Sequence, residues 1–124
     1  MTILHVVYII YILQIKHFVV DFLWQPEYEW RNKGTFLHFG GIRHSLKHAL
    51  TTAVILFLFS VSFSVICMAV VFEFVAHYFI DYGKMNINKM TGWDANKNPE
   101  FWYLLGLDQF LHQVCYLFIV SMIV

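Results

Sequence analysis

Residues Glu73 to Lys84 read Glu-Phe-Val-Ala-His-Tyr-Phe-Ile-Asp-Tyr-Gly-Lys, after a run from Val65 to Phe72 that holds almost no polar group. Glu73, His77 and Asp81 follow one another at steps of four, and each such step turns an α-helix by only about 40°. Lys84 returns close to the direction of Glu73. One stripe of one helix thus carries two carboxylates, an imidazole and an ammonium, and the other faces are Phe, Val, Ile and Tyr. A soluble amphipathic helix shows a broad mixed polar face instead. A narrow titratable stripe on a greasy cylinder fits a helix with lipid on most sides and a polar interior on one.

Working outward, the composition agrees. Of 124 residues, 60% are hydrophobic, 19% aromatic and 13% charged, where a globular domain carries about 25% charged. The length suits one domain. We expect a polytopic membrane protein with the lipid bilayer as its main partner. A formal net charge of zero argues against a nucleic-acid partner. Cys67 and Cys115 sit in apolar runs and read as small buried hydrophobes, with no CxxC pair to suggest zinc or redox chemistry.

Four spans emerge, at about 2–24, 42–59, 65–86 and 99–124, and predict an all-α, four-helix transmembrane bundle in a single domain. The first has no basic leader and no small-residue cleavage site, so it reads as an uncleaved span. Gln25 to Gly41 breaks the apolar pattern and reads as a loop with a short interfacial helix, flanked by Trp24, Tyr28 and Trp30. Ser60, Ser62 and Ser64 mark a tight return; one helix through them would exceed about 40 residues, too long for an ordinary span. Asn98, Pro99 and Glu100 form a helix start: cap, first position and acid in the first turn.

Consecutive spans alternate in direction, so titratable groups far apart in sequence fall at one depth. His17 and Asp21 end the first span, and His44 and His48 begin the second. Glu73, His77 and Asp81 fill the end half of the third, and Asp108 and His112 the starting half of the fourth. By 1.5 Å rise per residue most lie within about 15 Å of one membrane face. All eight Lys and Arg and the four Trp also lie towards that face. The positive-inside rule makes it cytoplasmic. The expectation is an inner-membrane protein with both termini outside and its polar cluster near the cytoplasmic face.

Ionisable groups within a bilayer are a functional hypothesis by default. Pairs four apart put two ligands on one helix face, and facing helices can close a shell around an ion. Imidazole with carboxylate suits zinc, iron or manganese. The candidate ligands are His17, His44, His48, His77, Asp81, Asp108 and His112, for one or two divalent ions. Glu73 or Asp21 would be the general base and Lys84 would steady an anionic group. Lys16, Arg43, Lys47 and Lys84 border the cluster and read as snorkelling to lipid phosphates or as an anion-attracting mouth. His5 reads as a bystander and His38 as an exposed loop residue. Gln25 and Gln109 adjoin the cluster.

The order His17-x3-Asp21-x3-Gln25, His44-x3-His48, His77-x3-Asp81-x2-Lys84, Asp108-Gln109-x2-His112 resembles a family of small polytopic membrane proteins of bacteria and phages, classed only as a domain of unknown function. The resemblance covers nearly the whole chain. It implies four helices and a bacterial or phage origin, and no activity. A looser likeness runs to membrane-bound metal-dependent hydrolases, whose spacing does not match residue by residue.

The reading is therefore a membrane metalloprotein with hydrolytic chemistry on an anionic small molecule or phospholipid at the cytoplasmic face. One alternative is a metal-ion or proton transporter, which would need an oligomer of this chain to form a conduit. Another is a non-catalytic subunit whose polar core fixes a membrane assembly.

Overall fold

The structure, a computed structural model, describes residues 1–124 and is all-helical. Helix α1 runs Ile3–Phe18 and continues as a π-helical turn, Val19–Leu23. A short α2, Glu27–Trp30, lies in the loop before α3, Phe39–Leu58. Helices α4, Phe63–Thr91, and α5, Pro99–Ser121, complete the chain. The four long helices close a ring: α1 packs on α3, α3 on α4, α4 on α5, and α5 back on α1.

Local chemistry accounts for the helix ends. The Thr2 hydroxyl accepts from the His5 N–H, and the His5 ring reaches back to the Thr2 backbone, a capping box with imidazole in place of a carboxylate. His5 is thus tied to a helix end. His38, expected to be exposed, is half-buried at the start of α3, where its Nδ1 accepts from the Gly40 N–H at 3.0 Å. The corner between α3 and α4 falls in the serine stretch, with Ser60 in the left-handed region at φ 57°. Gly92, at φ 68°, ends α4, as a left-handed cap requires. Pro99 opens α5, but Asn98 supplies no side-chain cap to it. Its Oδ1 instead accepts from the Asp94 N–H at 2.9 Å, because the turn 94–98 has claimed it.

The interior is divided. Towards the start of α1, Ile9, Leu13, Leu56, Ile66, Ala69, Ile119 and Val120 pack into an apolar plug. The other half of the ring buries Lys16, His17, Asp21, His44, His48, Glu73, His77, Asp81, Asp108 and His112. Leu50, Phe57, Leu58, Val71, Phe79, Phe110 and Leu117 face outward. This inside-out distribution fits a bundle surrounded by lipid, in which small residues rather than hydrophobic burial set helix proximity. Ser45, Ala49 and Thr52 are the small buried residues of α3. Cys67 is exposed and Cys115 half-buried, so neither is packed inside as expected. The bundle is narrow, and most apolar positions on a four-helix ring must face outward.

Three stretches, Ile3–Leu23, Phe63–Thr91 and Pro99–Ser121, are long and apolar enough to cross a membrane. Helix α3 is long enough at 20 residues, but Arg43, His44, Lys47 and His48 lower its hydropathy. Those polar residues belong to the half of α3 that meets the cluster. Its exposed positions Leu46, Leu50, Val54, Phe57 and Leu58 are apolar.

The loop between α1 and α3 folds back over the polar half. Leu37 N–H donates to the Tyr78 hydroxyl at 2.7 Å and Asn86 Nδ2 to the Gly34 carbonyl at 3.0 Å. Gly40 is needed for this closure: a Cβ there would lie 2.6 Å from the Tyr28 carbonyl oxygen.

Candidate metal centre

Asp21 sits in the π-helical turn, where the Trp24 N–H reaches the Val19 carbonyl at 2.7 Å. One extra residue in the turn changes the direction of everything after it, and such turns are common at functional sites. Here the Asp21 carboxylate enters the middle of the ring. Its Oδ1 lies 3.0 Å from His44 Nε2, 2.9 Å from His48 Nε2 and 3.8 Å from His77 Nε2. These four donor atoms lie within 4.8 Å of one another. Donors about 2 Å from one ion at tetrahedral angles stand about 3.3 Å apart, so the spacing is that of a ligand shell.

A second group, His77, Asp81 and His112, adjoins the first. Asp81 Oδ2 lies 3.3 Å from His77 Nε2 and 3.4 Å from His44 Nε2, and its Oδ1 lies 3.4 Å from His112 Nε2. The same His77 nitrogen serves both groups. One ring nitrogen has one lone pair, so the two groups are alternative or overlapping positions for an ion, not two independent shells sharing it.

Glu29 explains how His44 is presented. Its Oε2 lies 3.3 Å from His44 Nδ1. A carboxylate only accepts, so Nδ1 carries the hydrogen there, which leaves Nε2 as a lone pair unless the ring is doubly protonated. That lone pair faces Asp21 Oδ1 at 3.0 Å and His77 Nε2 at 3.2 Å. A carboxylate oxygen and a ring lone pair repel each other. The arrangement demands a cation or a proton between them.

The electrostatic balance points the same way. The cluster holds four carboxylates (Asp21, Glu73, Asp81 and Asp108). Two ammonium groups meet them: Lys16 pairs with Glu73, and Lys33 with Asp81 at 3.0 Å. With neutral histidines these six groups sum to −2, and the adjoining Glu29, Arg43 and Lys47 bring the sum to −1. At the rim, Glu29 Oε1 accepts from Arg43 at 2.8 Å and Oε2 pairs with Lys47 at 2.7 Å. Burial opposes ionisation of Glu29, but hydrogen bonds from Lys47 and Arg43 hold its carboxyl below the ordinary value. Burial likewise opposes the Lys33 ammonium, but the charges of Asp81, Asp21 and Asp108, with the hydrogen bond to Asp81, together outweigh it and raise Lys33 above the usual lysine range.

Of the residues singled out from the sequence, His44, His48, His77, Asp81 and His112 fall in the two groups, together with Asp21, which the sequence suggested as a base. His17 and Asp108 stand one contact further out. His17 Nε2 is 3.2 Å from Asp21 Oδ2, and Asp108 Oδ1 is 3.6 Å from His112 Nε2. Glu73 meets the ligands only through Lys16. Lys16 is buried against Glu73, Tyr116 and His48, so it does not snorkel. Each of those partners comes from a different helix, and none is visible from its own neighbours in sequence. Arg43 and Lys47 meet Glu29 rather than lipid phosphate. Lys84 lies on a groove between α4 and α5 that Asp108 also lines. Gln25 donates to the Asp21 carbonyl.

Glu29, Lys33 and Tyr116 were not expected. The first two stand in a polar loop, where charge reads as solvation. Tyr116, the eighteenth residue of an apolar helix, has His112 and Gln113 before it at helical spacing but only Ile119 and Val120 after it.

The fold and site define a small all-helical protein with membrane-like helices and a buried His/Asp cluster that could bind a metal ion. The chain belongs to a family described as "Protein of unknown function (DUF3307)", whose profile matches residues 3–124. That agrees with the resemblance to a domain of unknown function. Neither the curated proteins nor the solved structures contain a match to the chain.

Proposed function

We propose that this protein is an integral membrane metalloprotein in which all four long helices cross the bilayer, and that it is a hydrolase of an anionic substrate at the cytoplasmic face. The observation that carries the metal reading is the convergence of Asp21 Oδ1 with the Nε2 atoms of His44, His48 and His77, with Glu29 holding the His44 hydrogen on the opposite nitrogen. A set rich in imidazole suits zinc, iron or manganese over magnesium or calcium. The shared His77 nitrogen favours one ion.

A divalent ion there would act as a Lewis acid and acidify a water. The rest of the chemistry belongs to the chain. Asp21 and Asp81 stand among the ligands and Glu73 neutralises Lys16, so the base role passes to Asp108. The groove lined by Ala76, Phe79, Gly83, Lys84, Leu107 and Asp108 suits an amphiphile, with its anionic group at Lys84 and its chains along the apolar wall. A phospholipid of the surrounding leaflet has that chemistry. Transport is the weaker reading, because the plug around Ile9, Leu13, Leu56 and Ile119 offers no polar path beyond the cluster.

Metal analysis of protein purified in mild detergent tests the first claim. One equivalent of zinc, iron or manganese is expected, and His77→Ala should lose it because both groups use that nitrogen. Metal-free protein after reconstitution would overturn the assignment. Release of phosphate-containing headgroups from vesicles, abolished in His77→Ala and Asp81→Asn, tests the second. A metal-loaded protein inactive on phospholipids and soluble phosphoesters would remove the hydrolase reading.

A further inference from the structure

We infer that Lys33 is a stand-in cation for the metal centre: its ammonium competes with the ion for the Asp81 carboxylate, so one side chain both steadies the polar core and limits its affinity for metal. This deepens the metal reading and rests on it. The loop that carries Lys33 is closely fitted. A Cβ built on Gly34 would lie 3.0 Å from the Met85 Cβ, and one built on Gly41 would lie 3.3 Å from the Lys33 Cα. The backbone around Lys33 is thus set between α3 and α4, with neither glycine able to take a side chain unless a neighbour shifts. From that fixed point the Lys33 side chain, only 11% exposed, reaches inward and ends 3.0 Å from Asp81 Oδ2.

Among the lysines and arginines, Lys33 alone pairs with a carboxylate of a candidate ligand group. Lys16 pairs with Glu73, Arg31 with Glu27, and Arg43 and Lys47 with Glu29, and none of those acids belongs to either group. Asp21, the other carboxylate ligand, meets imidazoles and no ammonium. Asp81 Oδ2 stands 3.3 Å from His77 Nε2 and 3.4 Å from His44 Nε2, so an ion in either group lies beside the oxygen that Lys33 holds. Two cations on one carboxylate repel each other, and the repulsion grows as water is excluded. Without a cation, however, Asp81 would be a buried charge with no partner, which is strongly destabilising. One ammonium therefore has two effects of opposite sign: it supports the fold and opposes the ion.

The test measures zinc affinity by competition with a chelator, and thermal unfolding in excess chelator, on the full chain in detergent. Lys33→Gln should bind zinc about 10- to 100-fold more tightly, as expected for removing one charge a few ångströms from the ion in a partly solvated site. The same variant should melt about 5–10 °C lower in chelator, because Asp81 has lost its partner. Lys33→Arg keeps the charge and should stay near the wild type in both measurements. A purely structural role would weaken zinc binding instead of tightening it. Unchanged or weaker zinc binding by Lys33→Gln with a wild-type circular-dichroism spectrum would overturn the inference and leave the metal centre standing. No zinc binding by wild type and variant alike would overturn both. If Lys33→Gln does not fold, the double variant with Asp81→Asn removes the charge together with its partner and should fold; a double variant as unstable as the single one would also sink the inference.

Discussion

At the scale of single residues, Glu29 has the sharpest consequences. It is one of the most deeply buried side chains, yet it belongs to a four-residue helix in a loop. It joins Arg43 and Lys47 to His44. Glu29→Ala should leave two cations without a partner and free His44 to change tautomer. We expect metal affinity to fall by about 10- to 100-fold, measured by competition with a chelator, with helix content unchanged. Its titration has a definite sign. A carboxyl held below its ordinary value of 4.5 contributes stability that is fully present above that value. The contribution is lost as pH falls through the lower, folded value. The acid limb of thermal stability should therefore be shallower in Glu29→Ala than in the wild type, and identical acid limbs would count against the pairing.

At the scale of elements, the decisive features are a π-helical turn and a close approach. The turn at Val19–Leu23 aims Asp21 into the ring. The loop that carries Glu29 and Lys33 is brought down by Gly40, which abuts the Tyr28 carbonyl. Gly40→Ala must push backbone away from backbone, and should destabilise by about 1–3 kcal/mol in thermal unfolding followed in detergent. Gly83 is its control. It lies mid-helix in α4 with nothing within 4 Å of a built Cβ, so Gly83→Ala should be neutral or stabilise by about 0.5–1 kcal/mol. Equal effects of the two substitutions would argue that the loop does not pack as described. The helices themselves were legible from sequence because their evidence is local: apolar length and Pro99 at a start; the end of the third span, expected near 86, falls at Thr91, because Gly92 and not the first asparagines stops the helix. The π-turn was not legible, since Val19 to Leu23 continues an ordinary apolar pattern.

For the whole molecule, the carboxylates buried in the polar half outnumber the ammonium groups paired with them, so a bound cation would stabilise the fold. If the proposed ion is present at 100 times its dissociation constant, chelation should remove about 2.7 kcal/mol of stability. A melting temperature insensitive to a strong chelator in metal-loaded protein would oppose the model of a metal-balanced core. Orientation is tested separately. If α3 crosses with the other three, both termini lie on the side opposite Lys84 and Arg43, and a reporter at the C-terminus should be found outside the cytoplasm. Cys67 is exposed on the outer surface of α4, so it should react with a lipid-soluble maleimide and resist a charged one.

The sequence by itself determined the class of the molecule and the list of its chemistry. Hydrophobic length and the lack of charge mark the helices, and pairs at steps of four mark the faces, because both are properties of neighbours along one chain. The depth argument could gather His17, Asp21, His44, His48, Glu73, His77, Asp81, Asp108 and His112 at one level, since helix rise is constant. Only the tertiary structure decided which of them face one another. What the ring nitrogens of His44 and His48 meet depends on Glu29, Asp21 and Lys16, from other elements of the fold. Whether Lys16 or Lys33 meets lipid or a carboxylate depends on a loop folding over and on helices closing a ring. Those contacts join residues tens of positions apart, and no local pattern in the chain specifies them.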